Sequence, residues 1–163
     1  MRDHRSDELK KCGAAIGDEW SGVIAASRRR PYVLLAEDEE PLRGLLASVM
    51  RDLGMDVEEV ADGGRMLVRV AAHYRAGQGP EDIDLIVSDV RMPVCSGLDI
   101  FKGVRAAHWT TPVVLVTRHP TPEVYECARE LGANVVLKPV NVAEFERVVL
   151  GLLSWHAPAA RAC

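Results

Sequence analysis

The sequence predicts a doubly wound α/β domain, in which a parallel sheet is covered by helices on both faces. Two observations lead to this class. Short apolar runs alternate along the chain with segments whose apolar residues have helical spacing, and this alternation occurs five times between Tyr32 and Leu153. The 163 residues are 48% hydrophobic, which is enough for one core of this size.

The first half of the pattern contains three strands and two helices. The predicted strands are Tyr32–Ala36, Met55–Val60 and Ile83–Ser88. The helices carry apolar residues at helical spacing, namely Leu42, Leu45, Leu46, Val49 and Leu53 in the first and Met66, Leu67, Val70, Ala71 and Tyr74 in the second. Pro41 suits a first helical turn, and Gly54 is expected to end the first helix.

The second half continues the same rhythm with three helices and two strands. A helix is predicted around Leu98, Phe101 and Val104, and strands at Val113–Val116 and Val135–Leu137. Between these strands, a helix should run from Thr121-Pro122 to Leu131. Asn141, with Glu144 three residues later, predicts the start of a last helix, whose apolar face is Phe145, Val148, Val149 and Leu152.

The charge distribution divides the chain into three parts. Residues 1–30 hold seven Lys/Arg and five Asp/Glu and end in three consecutive arginines, although the whole chain has a net charge of -4. We therefore expect residues 1–30 to be a flexible N-terminal extension, basic at its end. Residues 31–153 should form the domain, and residues 154–163 a small, mobile tail.

Composition argues against several classes of function. A pI of about 5.7 gives no chain-wide basic field, so nucleic acid is an unlikely partner. The apolar runs are far shorter than the ~20 residues that span a membrane, and no membrane partner is expected. The cysteines are scattered without metal-ligand spacing, which indicates reduced thiols and a cytoplasmic location. They are Cys12, Cys95, Cys127 and Cys163.

Polar residues follow four of the five predicted strands. Glu37-Asp38 follow the first strand, Asp89 the third, Thr117 the fourth, and Lys138-Pro139 the fifth. In a doubly wound sheet the carboxyl ends of the strands share one edge, where ligands bind. The sequence therefore predicts a site at this edge.

The charges at this edge suggest what binds there. Three carboxylates held close together repel one another, by about 4 kcal/mol per pair at 4 Å in a medium of dielectric about 20. A divalent cation together with Lys138 would balance Glu37, Asp38 and Asp89. Oxygen ligands without His or Cys favour Mg²⁺, with Mn²⁺ possible. The cation, Lys138 and the Thr117 hydroxyl are also groups that a phosphoryl group would contact.

These residues resemble the receiver domain of two-component response regulators. The resemblance rests on the acidic pair, on D-x-x-M-P-x-x-x-G (Asp89, Met92, Pro93, Gly97), and on the Thr and Lys-Pro positions, and it covers Tyr32 to Leu153. It implies a flavodoxin-like sheet with strand order 2-1-3-4-5. It also implies a phosphorylation switch rather than a turnover enzyme, of the chemotaxis-type single-domain kind.

The resemblance implies a role for each site residue. Asp89 would accept a phosphoryl group from a sensor histidine kinase or a small acyl phosphate. Asp38, Asp89 and the backbone carbonyl of Arg91 would hold Mg²⁺ directly, and Glu37 would do so through water. Lys138, presented by a cis bond to Pro139, would bind the phosphoryl oxygens. The Thr117 hydroxyl would move to the phosphoryl group and carry the following loop with it.

Three positions qualify this assignment. The switch of the family usually includes an aromatic residue three positions before the Lys, where this chain has Val135. The coupling from Thr117 to that position is therefore expected to be weaker or differently routed. Arg91 and His119 stand where the family tunes dephosphorylation, and their bulk would hinder an attacking water.

The resemblance also implies how the signal leaves the domain. No second apolar domain follows Leu153, so a surface made by the fourth helix, fifth strand and fifth helix is expected to bind a downstream protein or a second copy. Alternatives are a receiver-like adaptor that is never phosphorylated, and a relay that passes the phosphoryl group to a His-containing transfer protein. A haloacid-dehalogenase-like phosphatase would need a second Asp where this chain has Arg91.

Overall fold

The computed structural model describes residues 29–75 and 82–156. Within these ranges five parallel strands form one sheet in the order β2-β1-β3-β4-β5, which confirms the predicted class and strand order. The strands are β1 Tyr32–Ala36, β2 Asp56–Val60, β3 Leu85–Asp89, β4 Val113–Thr117 and β5 Ala133–Leu137. The helices between and after them are α1 Glu40–Asp52, α2 Gly63–Arg75, α3 Gly97–Ala106, α4 Pro122–Leu131 and α5 Val142–His156.

Helix boundaries follow from local chemistry. The Ser96 and Thr121 side chains accept hydrogen bonds from the first-turn backbone of α3 and α4, and Asn141 Oδ1 accepts from the Glu144 N–H at 3.0 Å. Gly132 ends α4 with φ 74°, and Gly54 follows α1 with φ 88°. Both are left-handed conformations that glycine adopts without a steric cost.

The sheet separates two apolar cores, because successive strand residues point to opposite faces. On one face, Val33, Leu35 and their counterparts pack against α1 and α5 around Met50 and Phe145. On the other face, Leu34 and the residues that alternate with the first set pack against α2, α3 and α4. The helical periodicity in the sequence therefore reports real burial on both sides.

Several predicted boundaries are off by one to three residues. Strand β3 begins at Leu85 rather than Ile83, because its first partner in the ladder is Val33. Ile83 is nevertheless buried, so its apolar character reflects burial and not strand pairing. Strand β2 starts at Asp56 instead of Met55, and β5 starts two residues early, at Ala133, because it pairs with Val113.

The termini of the domain also differ from the prediction in detail. Helix α5 continues to His156, so residues 154–156 are helical and not part of a tail. Arg29 donates hydrogen bonds to both carboxylate oxygens of Asp84, at 2.7 and 3.2 Å. Residues 1–28 of the flexible extension expected over residues 1–30, and residues 157–163 of the tail expected over residues 154–163, lie outside the described residues. No helix in the described part of the chain is long and apolar enough to cross a bilayer.

Gly97 allows the β3–α3 connection to pack against the end of β3. A Cβ added at Gly97 would lie 2.1 Å from the Asp89 carbonyl oxygen and 2.4 Å from Ser88 Oγ. These distances are far below van der Waals contact, so only glycine fits here without a shift of the backbone. The Gly97 N–H in turn donates to the Val90 carbonyl at 3.1 Å.

We predict that Gly97→Ala destabilises the domain by about 1–3 kcal/mol, the usual cost of forcing a methyl group into packed surroundings. The matched control is Gly103→Ala in the same helix, where an added Cβ meets nothing within 4 Å. That change should stabilise by roughly 0.5–1 kcal/mol through helix propensity. Urea unfolding of the two variants measures the difference, and equal midpoints would contradict this account of Gly97.

Candidate functional site

Four strands deliver side chains to one edge of the sheet. In the register, Ala36 pairs with Ser88, Asp89 with Val116, and Thr117 with Leu137. The residues at or just after these pairs therefore project from the same carboxyl edge. They are Glu37, Asp38, Asp89, Thr117 and Lys138, which are the residues that the sequence places there.

The acidic residues form a compact cluster. Glu37, Asp38 and Asp89 each offer an oxygen, and these oxygens lie within 4.8 Å of one another. Glu37 is fully buried and Asp89 is 6% exposed, whereas Asp38 is open to solvent. Among the described residues, nothing hydrogen-bonds the buried Oε2 of Glu37. A buried oxygen in this condition is a ready ligand for a cation or a water.

The Lys138 ammonium lies among the carboxylates. Its Nζ is 2.7 Å from Asp89 Oδ2, 2.9 Å from Glu37 Oε1 and 3.3 Å from Glu39 Oε1. Only 5% of the side chain is exposed, so Lys138 is not a surface lysine. The Lys138–Pro139 peptide bond is cis, and the Lys138 N–H donates to the Thr117 carbonyl at 2.9 Å.

Burial and charge shift the pKa values of these groups in opposite directions. Burial raises the pKa of Glu37 to about 7; the negative charge of Asp89 adds to the rise, and the hydrogen bond from Lys138 opposes it. Burial acts to lower the pKa of Lys138, but its hydrogen bonds to Asp89 and Glu37 outweigh burial, and that pKa is raised. Lys138 therefore stays charged, and Glu37 gains a proton nearer to neutrality than an ordinary glutamate does.

Asp89 is oriented by its neighbours, and the predicted switch residues are close to it. Its Oδ1 accepts from the Arg91 N–H at 3.0 Å, and its Oδ2 accepts from Lys138. Thr117 is buried, and its Oγ1 accepts from the His119 N–H at 3.3 Å. Arg91 and His119 are exposed and line the same cavity of about 180 Å³ as Asp38, Asp89, Thr117 and Lys138.

Sequence reasoning missed two residues of this cavity, Glu39 and Arg118. Arg118 Nη2 donates to both oxygens of Glu39, at 2.9 and 3.0 Å. Glu39 also accepts from Lys138, and the positive charges of Lys138 and Arg118 hold the pKa of Glu39 below its ordinary value. The available signal was adjacency, since Glu39 follows the acidic pair and Arg118 follows Thr117.

Val135 lies away from the carboxylates. It is half-buried and packs against the core on the α2, α3 and α4 side of the sheet. The next residue, Val136, points to the opposite core, and Leu137 is 47% exposed. The position where the resemblance leads us to expect an aromatic residue thus holds a smaller, half-buried side chain that packs against the core.

The donor set fits a hard divalent cation. The three clustered side chains offer only carboxylate oxygens, which suit Mg²⁺ and Mn²⁺ better than Zn²⁺. The unpartnered Oε2 of Glu37 and the exposed Asp38 leave oxygens free to bind. This acidic triad is of the kind typical of receiver Mg²⁺ sites.

Comparison with known families gives one match over most of the domain. The family described as "Response regulator receiver domain" matches residues 33–150. This range contains strands β2 to β5, all of β1 except Tyr32, and most of α5.

Among curated proteins, similar sequences are transcriptional and response regulators. The chain is 32% identical over 121 residues to the transcriptional regulatory protein PdtaR of Mycobacterium tuberculosis, covering 74% of this chain and 54% of that protein. It is 31% identical over 129 residues to the alkaline phosphatase synthesis transcriptional regulatory protein SphR of Synechococcus elongatus, covering 75% and 48%. The chain thus matches only about half the length of these relatives.

Solved structures with the same architecture include single-domain receivers. The Vibrio cholerae chemotaxis protein CheY4 has 29% sequence identity and a TM-score of 0.64, over 77% of this chain and all of that chain. A response regulator receiver protein from Pseudomonas putida has 26% identity and a TM-score of 0.63, over 76% and 98%.

We predict that Glu37 makes the metal-free domain less stable as pH rises. Its pKa in the folded protein is about 7, above the ordinary 4.5, so between these values the unfolded chain binds fewer protons at this group. The contribution of Glu37 to the free energy of unfolding therefore falls through this window. Relative to Glu37→Gln, the wild type should lose roughly 1–3 kcal/mol between pH 5 and pH 8.

Urea unfolding in EDTA at several pH values measures this difference. The matched control is Glu40→Gln, which changes an exposed carboxylate three residues along the chain. The control curve should run parallel to that of the wild type. If the Glu37→Gln curve were parallel as well, the buried carboxyl would not be titrating as described.

Proposed function

Because the chain belongs to the response regulator receiver domain family, we propose that it is a phosphorylation-dependent switch of two-component signalling, with Asp89 as phosphoacceptor. One observation carries this proposal. The nearly buried Asp89 carboxylate is held by Lys138 at one oxygen and by the Arg91 N–H at the other, beside Glu37 and Asp38. Its two fixed oxygens border an open cavity that a phosphoryl group can enter.

The proposed reaction is a transfer of one phosphoryl group to Asp89. A carboxylate oxygen of Asp89 attacks phosphorus, and a P–O bond forms as the P–N bond of a phosphohistidine breaks. With a small acyl phosphate, the bond that breaks is the P–O bond to the acyl oxygen. The product is an aspartyl phosphate, and the leaving group keeps the electron pair of the broken bond.

Lys138 and Thr117 are the proposed phosphoryl ligands of the chain itself. The Lys138 ammonium already contacts Asp89 Oδ2 and can bind the oxygens of a phosphoryl group attached there, stabilising the charge that the reaction places on them. Within the described part of the chain, Thr117 Oγ1 accepts a long hydrogen bond from the His119 N–H and donates to no group, so its hydroxyl is available as a donor. A shift of Thr117 toward the phosphoryl group would pull the loop before α4.

The proposed metal ligands are Asp38, Asp89 and the Arg91 carbonyl, with Glu37 acting through water. Mg²⁺ bound there supplies positive charge that neutralises the carboxylates and the phosphoryl oxygens. Arg91 and His119 border the cavity and are proposed to restrict the approach of water to the aspartyl phosphate. Their bulk would then lengthen the life of the phosphorylated state.

Receiver domains interact with histidine kinases, and we propose such a kinase as the phosphodonor. A downstream protein or a second copy would bind the surface made by α4, β5 and α5. Two large apolar side chains, Tyr125 and Leu137, are about half exposed on α4 and β5 and support this choice.

A receiver domain is typically a phosphoacceptor and not an enzyme, and we propose no further turnover reaction for this chain. The cytoplasmic location expected from the sequence belongs to the same proposal.

A second candidate function is an adaptor that binds partners without phosphorylation. Val135 favours it, because this half-buried side chain packs against the core and offers no aromatic ring to report a movement of Thr117. Labelling with acetyl phosphate separates the two functions, because only a receiver that is phosphorylated gains a phosphoryl group. The relay alternative shares the phosphorylation step, and is separated by transfer of the label to a His-containing protein.

We predict that the protein gains one phosphoryl group when incubated with Mg²⁺ and acetyl phosphate, and that Asp89→Asn abolishes the gain. Intact-protein mass spectrometry measures it, with Asp56→Asn as the control, because Asp56 is an exposed aspartate at the opposite end of the sheet. The control should be labelled like the wild type. An unlabelled wild type would favour the adaptor, and label on Asp89→Asn would assign another acceptor.

We predict that Lys138→Ala retains Mg²⁺ binding but loses the phosphorylation-induced change. Removing the ammonium leaves the carboxylates that hold the metal and deletes the group that senses the phosphoryl oxygens. Amide NMR shifts of residues 117–119 and of residue 121, with and without acetyl phosphate in Mg²⁺, measure the change. The exposed Lys102→Ala serves as control. Shifts of equal size in Lys138→Ala and wild type would refute the role given to Lys138.

A further inference from the structure

Arg118 and Glu39 form an ion pair at the mouth of the cavity that contains Asp89. The pair joins the loop after β1 to the loop after β4, and both residues line the cavity with Asp89 and Lys138. Contacts of 2.9, 3.3 and 2.7 Å lead from Arg118 through Glu39 and Lys138 to Asp89. Arg118 is 60% exposed and Glu39 46% exposed, so both side chains have room to move.

Negative charges outnumber positive charges around Lys138, which favours the approach of a second cation such as Arg118. Lys138 is shared by three carboxylates, and its contact with Glu39 is the longest of the three. A phosphoryl group on Asp89 would replace a single negative charge by about two, on a residue that is only 6% exposed and that borders the cavity. An arginine binds a phosphoryl group through several hydrogen bonds, and it does so more strongly there than it binds an exposed carboxylate.

We propose that Arg118 is a phosphoryl-binding side chain of this site, and that Glu39 holds it away until Asp89 is phosphorylated. This inference rests on the proposed function. On phosphorylation, the guanidinium leaves Glu39 and pairs with the phosphoryl oxygens, next to Lys138. Because Arg118 directly follows Thr117, the same exchange moves the loop between β4 and α4. It also releases Glu39 from its contact with that loop.

Affinity for a phosphoryl analogue tests the proposal without the kinetics of transfer. The probe is beryllofluoride, formed from beryllium chloride and sodium fluoride, which mimics a phosphoryl group on a carboxylate. Its affinity is measured by ¹⁹F NMR titration in saturating Mg²⁺. Arg118→Gln should weaken binding roughly fivefold to thirtyfold, the value of a charge-assisted hydrogen bond less that of the exposed ion pair it replaces. Glu39→Gln should strengthen binding, because it releases Arg118.

A double-mutant cycle separates this exchange from a general effect of charge. If Glu39 acts by holding Arg118, Glu39→Gln gains less affinity in an Arg118→Gln background than in the wild type. The matched control is Arg29→Gln. Arg29 is another half-exposed arginine that pairs with a carboxylate, in this case Asp84, which is not part of the site. It should leave beryllofluoride affinity unchanged, and all variants should keep urea midpoints close to that of the wild type.

The outcomes distinguish this inference from the function on which it rests. A wild type that binds no beryllofluoride in Mg²⁺ overturns both. If the wild type binds but Arg118→Gln binds equally well or more tightly, the receiver function stands and the role of Arg118 is refuted. Tighter binding by Arg118→Gln would mean that Arg118 only restricts access to the cavity. Additive effects of the two substitutions would likewise refute the holding role of Glu39.

Discussion

The site depends on one buried cation that serves several buried anions. Glu37 and Asp89 are almost completely removed from water, and carboxylates in such surroundings ionise only beside a positive charge. Lys138 supplies that charge through contacts of 2.9 and 2.7 Å. One ammonium does not offset the burial of both carboxylates: burial, with a smaller contribution from the charge of Asp89, raises the pKa of Glu37 to about 7. The cluster is therefore built to accept further positive charge.

The parallel sheet makes this arrangement possible. Glu37 follows β1, Asp89 ends β3 and Lys138 follows β5. The register of these strands is fixed because alternate residues pack into the two apolar cores on opposite faces of the sheet. A slip of one residue would turn a site residue toward the wrong face and bury polar atoms in a core. Close packing of Gly97 on the Asp89 carbonyl fixes the last residue of β3 in the same way. Stability and site geometry thus share the same contacts.

Much of this was predictable because burial leaves periodic traces in a sequence. The strand order and the edge at which the polar residues meet follow from a repeated pattern and from the family resemblance. The predicted start of β3 was wrong because Ile83 is buried but does not pair in the ladder. Periodicity cannot distinguish a residue that is buried in a strand from one that is buried beside it. Glu39 and Arg118 were missed because the sequence does not say which carboxylates after β1 turn inward, or that an exposed arginine reaches across to one of them.

The ion pairs also connect the ends of four strands in a way that bears on the missing aromatic residue. Lys138 joins the ends of β5, β3 and β1, and Arg118 extends the connection through Glu39 to the end of β4. A charge added at Asp89 changes what Lys138 can offer to Glu39, and hence what holds Arg118. In the proposed exchange, movement of the loop before α4 would follow from electrostatics at the cavity mouth and would need no ring on β5. A half-buried valine at position 135 is compatible with a switch that works by this route.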